Sequence, residues 1–347
     1  MRNQTFFSKK VTFLNVILTF CIVLLHAETP HRFGVPLDNT YPFIYSIFTI
    51  VQLGVPMFFF ISAVLFFKQC TFADLEKKYE RRVFSLLIPY LLWNTLFVFV
   101  YVALMHIPFF QERMHMTPEV LGTPKQIFNA IIHSKCTPLW FVKDLMLLTL
   151  LAPVILLLLR DIRWISLAFF MSIIIALSGN YGYENILVWI PVYLQGAMVG
   201  HFSFSSGDYR TYDSYTDNKC IRKVTIALII ISLLVLYICL YVNANFIRIF
   251  RYCAPLLVWI LVDFILKKYL NTKFEYKPWM SYMFIIYCMH QFILNVLQKM
   301  VYLIFPPTRL VLNLTFILTP IVTVLFIILF TRYLSRLRIY KYLSGGR

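Results

Sequence analysis

The sequence predicts an all-α, polytopic integral membrane protein with about ten transmembrane helices and both termini cytoplasmic. Three observations predict it. Of the 347 residues, 60% are apolar and only 14% charged, too few charges to cover a soluble protein of this size. Apolar runs about as long as a membrane is thick recur along the whole chain, bounded by polar segments. Lys and Arg concentrate in alternate loops, as the positive-inside rule requires.

The spans, taken in order, are 11–27, 41–67, 83–107, 139–159, 162–178, 185–201, 223–243, 247–266, 279–305 and 309–331. A crossing helix needs about 20 residues, with about 17 the lower end, so 162–178 and 185–201 are the shortest of the set. Polar segments flank both: Arg160-Asp-Ile-Arg163, Gly179-Asn-Tyr-Gly-Tyr-Glu184, and a long loop after 201. No small-residue cleavage site follows Leu25, so the first span is read as a retained helix and not a signal peptide. Two connections are longer than a turn requires. Residues 106–138 hold four prolines and the apolar residues Phe109, Phe110 and Ile127, and 202–222 are rich in Ser, Asp and Tyr. Long loops of the first kind often cover a binding site. The residues 1–347 are read as one domain without an internal repeat.

The net charge of +17 invites a nucleic-acid partner, but the basic residues sit at span ends and form no single patch. Assigned to loops, 23 of the 32 Lys and Arg fall on one side and 7 on the other. The rich side is cytoplasmic, which places His26 at the outer end of the first helix. The seven cysteines include no C-x-x-C pair, so neither a disulfide framework nor a zinc site is indicated.

Few residues in the spans can carry chemistry. His26 closes the first apolar run, where hydrocarbon solvates an imidazole poorly and an ionisable group tends to face a wet cavity or the bundle interior. An interfacial ring bonded to a carbonyl is the competing reading. Lys143 and Asp144 are adjacent at the start of the fourth span. Helix neighbours point about 100° apart, so at least one faces inward, although a snorkelling Lys143 and a capping Asp144 would also account for them. Gln52, Asn94, His290 and Gln291 lie mid-span, where helix-to-helix hydrogen bonds are the simplest role. Arg81 and Arg82 precede Pro89-Tyr-Leu-Leu-Trp93. Paired guanidiniums suit a phosphate-bearing ligand, but from spacing alone lipid headgroups or topology are the simpler reading. The P-loop, G-x-S-x-G, H-E-x-x-H and HxxxxD templates are absent.

These segments together resemble the membrane acyltransferase-3 family. The resemblance rests on the helix ending in His26, on Gly54-Val-Pro-Met-Phe-Phe-Phe-Ile-Ser62-Ala63, on Arg81-Arg82 with Pro89-Tyr-Leu-Leu-Trp93, and on Pro138-Leu-Trp-Phe141. Tyr193-Leu-Gln-Gly196 and Tyr287-Cys-Met-His290 are weaker matches. Asn15 stands where the family typically carries an arginine. The resemblance implies a bacterial inner-membrane enzyme that moves an acyl group, commonly acetyl, from acyl-CoA to a hydroxyl of an envelope or exported glycan, free or lipid-linked. In some family members it implies glycan export instead. It implies His26 as general base, Arg81 and Arg82 on the coenzyme phosphates, and Lys143 and Asp144 as supporting catalytic residues, with no metal.

The topology is open to a direct check. On a cysteine-free background, a cysteine at Thr123 is expected to react with an impermeant thiol reagent from outside, and one at Asp213 is not. The opposite labelling pattern would reverse the orientation.

Overall fold

A computed structural model describes residues 6–27, 42–107, 123–133, 137–203, 227, 230–231, 233–238 and 246–346. His31, Arg32, Phe109, Phe110, Cys136, most of the loop 202–222 and most of the span 223–243 lie outside these. The described residues are helical and contain no strand. In chain order the helices are α1 (Phe6–Leu25), α2 (Pro42–Val51), α3 (Gly54–Phe67), α4 (Leu75–Arg82), α5 (Ile88–Met105), α6 (Pro124–Ile132), α7 (Trp140–Leu150), α8 (Ala152–Leu158), α9 (Ile162–Ser178), α10 (Ile190–Phe202), α11 (Ile247–Thr272), α12 (Met283–Ile304), α13 (Arg309–Leu334) and α14 (Tyr340–Leu343). Among the described residues, five segments, Phe6–Leu25, Phe43–Phe67, Phe72–Leu104, Pro278–Ile304 and Arg309–Leu334, are long and apolar enough to cross a membrane, and a bent pair, α7 with α8, makes a sixth. α11 has 26 residues.

The departures from straight spans have local causes. The chain bends by 53° between α7 and α8. Pro153 has no N–H to give to the carbonyl of Thr149, and that carbonyl instead accepts from the Tyr79 hydroxyl at 3.3 Å. Pro89 likewise cannot bond back to Ser85, and the turn Val83–Leu87 widens to a π-helix. The C-terminal tail fills this widened turn. Gly345 has φ +69°, and a Cβ on it would lie 2.6 Å from the Ser85 carbonyl oxygen, so both conformation and space demand glycine. Trp93 Nε1 donates to the Leu343 carbonyl at 3.0 Å and holds the tail in place.

At the centre is α3. It is apolar nearly all round, and twelve of its fourteen residues are buried, the mark of a helix in the core of a bundle; Phe58 and Leu65, the other two, line a cavity. α10 packs along it most extensively, followed by α1, then α11 and α7. The α10 contact depends on Gly196 and Gly200. A Cβ on Gly196 would stand 2.3 Å from the Phe60 carbonyl oxygen, and one on Gly200 2.6 Å from that of Val64. Small residues four apart let two apolar helices approach backbone to backbone.

α1 is joined to α11 by an ion pair. Lys10 Nζ lies 2.7 Å from Asp263 Oδ2, with side chains 0% and 5% exposed, and 3.4 Å over the Trp259 ring. Lys10, one of the 23 Lys and Arg assigned to the cytoplasmic side, is therefore buried among helices. Part of the loop 106–138 is helical. Thr123 and Gln126 form a reciprocal cap at the start of α6, and Ile127 is half-buried beside buried Ala130. The Tyr90 hydroxyl donates to the Ile132 carbonyl at 2.6 Å and ties this loop helix to α5.

Gly196→Ala is expected to lower the melting temperature in detergent, because the added methyl meets backbone, with a cost of about 1–3 kcal/mol for an overpacked contact. Gly182→Ala, where a Cβ meets nothing within 4 Å, is expected to leave it unchanged. Equal melting curves for the two variants would remove the close contact from the account.

Candidate functional site

Two cavities lie on either side of a single layer of aromatic rings. The first has a volume of about 380 Å³, and its wall includes His26, Gln52, Trp140, Tyr183, Glu184 and Arg251. The second, of about 390 Å³, is lined among others by Thr12, Asn15, Thr19, Ser62, Arg82 and Tyr276. Phe58, Phe141 and Tyr287 belong to both walls. The ring of Phe141 lies 6.1 Å from that of Phe58 and 6.0 Å from that of Tyr287. The Tyr287 hydroxyl donates to the Pro138 carbonyl, so the layer is fixed to the backbone at the entry to α7.

His26 follows the last turn of α1. Its N–H donates to the Ile22 carbonyl at 3.3 Å, which continues the helix by one bond and points the ring at the cavity. A second histidine lies behind it. His290 of α12 is fully buried, and its ring centroid is 5.1 Å from that of His26. Across the cavity Arg251 of α11 donates to Gln52 Oε1 at 2.5 Å, and its guanidinium lies 4.5 Å over the Tyr183 ring. Burial pushes the Tyr183 phenol up to about 12, against the opposing pull of Arg251. At neutral pH Tyr183 therefore holds its proton and can donate a hydrogen bond but not act as base.

In the second cavity Arg82 Nη2 donates to the Ser62 carbonyl at 3.0 Å, and the guanidinium stacks 5.5 Å over Phe66. One carbonyl and one ring orient the group and leave further N–H donors on its fork. The paired arginines part here. Arg82 is in the cavity wall, and Arg81, one residue earlier on α4, is exposed. Lys78 is occupied elsewhere, donating to the carbonyls of Phe66 and Lys68 at the C-terminal end of α3. Asn15, at the position where an arginine is typical, lines this same cavity.

Lys143 and Asp144 pair with each other, one partly exposed and one buried. Their charged atoms are 4.0 Å apart, with side chains 35% and 4% exposed, and neither is in the wall of either cavity. The fold thus brings His26 together with Gln52 and Arg251, sets Arg82 beyond the aromatic layer, and leaves Lys143, Asp144 and Arg81 outside. Gln52 bonds to another helix, as its mid-span position suggested, but also faces the cavity. Arg251 escaped sequence reasoning because it counted as one more loop cation. An arginine a full turn inside a helix, at Ile247-Arg-Ile-Phe-Arg251, was the available signal. Tyr183 gave none, and Tyr287 only its place in the weaker Tyr287-Cys-Met-His290 match. Among the described residues no cluster of His, Cys, Asp and Glu could hold a metal.

Comparison with curated proteins and with solved structures gives no match. The family model described as an acyltransferase domain, of the acyltransferase-3 type, matches residues 10–332. That match runs from within α1 to within α13 and takes in both cavities and the aromatic layer between them. The chain therefore belongs to the acyltransferase-3 family and is a multi-pass membrane protein of the acyltransferase type.

Proposed function

We propose that this protein transfers an acyl group, in the simplest case acetyl, from acyl-CoA in the Arg82 cavity to a sugar hydroxyl in the His26 cavity. The observation that carries this reading is the pair of similar cavities meeting at one aromatic layer, with a histidine on one side and an arginine on the other. A cavity of about 390 Å³ takes the pantetheine chain of the donor and leaves the nucleotide at its mouth, where Arg82 meets phosphate. By the charge rule that mouth is cytoplasmic, where acyl-CoA is made. The His26 cavity opens to the opposite side, where a free or lipid-linked glycan arrives. Trp140 and Tyr183 offer it flat apolar faces, and Gln52 and Glu184 offer hydrogen bonds.

The chemistry follows from this arrangement. The thioester carbonyl reaches past Phe58, Phe141 and Tyr287. A sugar hydroxyl attacks it while a neutral His26 takes the hydroxyl proton. Arg251 is the cation in that cavity wall and stabilises the oxyanion as it forms. The C–S bond then breaks, the coenzyme leaves as thiolate, and the imidazolium proton passes to its sulfur. The ester remains on the glycan side and the free thiol on the donor side. Holding both reactants at one aromatic layer supplies the proximity that the reaction needs.

Two outcomes test the reading with labelled acetyl-CoA and membranes that contain the native acceptor. His26→Ala is expected to lower transfer by a factor of about 100 to 10,000, the usual loss on removing a general base, with the protein folded. A loss of a few-fold would make His26 structural. Glycan movement without any transfer by the unaltered protein would favour export. Arg82→Gln is expected to raise the KM for acyl-CoA several-fold, whereas Arg81→Gln changes it little. Equal effects of the two substitutions would move the donor off the cavity wall.

A further inference from the structure

We propose that His290 is the positioning residue of this site, fixing which nitrogen of His26 carries a proton. This rests on the reading of His26 as the base. The argument starts from the hydrogen bonds of His290. Its Nδ1 lies 2.7 Å from the Tyr287 carbonyl oxygen and 3.2 Å from that of Ile286. Both are acceptors only, so the hydrogen of the neutral ring is on Nδ1. Nε2 is then a bare lone pair. It is fully buried and has no hydrogen-bond partner, which is costly for a polar atom among apolar helices.

Among the described residues, the His26 ring is the neighbour placed to satisfy it. The centroids are 5.1 Å apart and the planes tilted by 46°. Two imidazoles joined by an N–H···N bond have centroids about 5 Å apart, two ring radii plus a bond of about 2.9 Å. The last side-chain torsion of histidine is broad, so a rotation of His26 in its cavity completes the bond. His26 then carries its proton on the nitrogen that faces His290 and presents the lone pair of the other to the cavity. After it takes the hydroxyl proton, the N–H facing His290 is still held, and the imidazolium is stabilised. The proton does not pass on to His290, whose own N–H, on Nδ1, stays on the two carbonyls. This is the role of the group behind the imidazole in hydrolase triads, played here by a second neutral ring.

The test reads the tautomer directly. The chain has seven histidines, few enough for nitrogen-15 spectra of histidine-labelled protein in lipid nanodiscs, with His26 assigned from His26→Asn. In the unaltered protein His26 is expected as a single tautomer. His290→Phe keeps the ring but removes the acceptor, and is expected to give a tautomer mixture. It should also lower kcat by on the order of 100-fold with the KM for acetyl-CoA unchanged. His290→Gln returns an acceptor at the position of Nε2 and is expected to restore one tautomer and part of kcat. A mixed His26 tautomer in the unaltered protein would overturn the proposal, even if His290→Phe fails to fold. So would a His26 signal unaffected by His290→Phe. Should His26→Ala retain activity while the tautomer results hold, the assignment of the base fails and the histidine pairing stands.

Discussion

The structure depends on the burial of α3, where only Phe58 and Leu65, on the cavity side, are not buried. A helix buried over the rest of its surface needs neighbours there, and α1, α7, α10 and α11 supply them. Hydrocarbon gives little drive for apolar helices to associate, so close packing must hold them. Gly196 and Gly200 make this possible by letting α10 lie directly on the α3 backbone. A side chain at either position would push α10 outward and take Trp189, which stacks on Phe59 at 5.2 Å, away from the wall it supports.

Packing around α3 leaves the polar groups of the spans with few places to go. Four of them are found against another helix or in a cavity. Lys10 reaches Asp263, Arg82 the Ser62 carbonyl, Arg251 Gln52, and His26 lies beside His290. The two cavities occur where α1, α3, α7 and α12 diverge, and their shared wall is the aromatic layer of Phe58, Phe141 and Tyr287. The Pro138-Leu-Trp-Phe141 segment gains a physical meaning here. Its proline carbonyl holds Tyr287, Trp140 lines one cavity, and Phe141 divides the two. The arginine block gains one too. Pro89 widens the preceding turn, and that turn receives the glycine-bearing C-terminal tail.

Hydropathy and charge sufficed to read the helical class, the membrane and most helix positions, because a span must be apolar over a fixed length whatever it packs against. The line of His26 with the acyltransferase-3 motifs was legible for the same reason: short blocks of sequence keep their spacing within one helix. The breaks at Gln52-Leu53 and Leu151 were not, since a hydropathy run does not register a bend within it.

What tertiary structure alone decided is which polar residues meet. Arg81 and Arg82 are equivalent in sequence, but a helix turn of about 100° sends one to the surface and the other into a cavity. Lys143 and Asp144, adjacent to a motif, fall outside both cavities, whereas Gln52 and Arg251, 199 residues apart, share one hydrogen bond. His26 and His290 come from opposite ends of the chain. No local pattern encodes their 5.1 Å separation, because it is set by how α1 and α12 cross, and that crossing is fixed by the packing of every helix around α3.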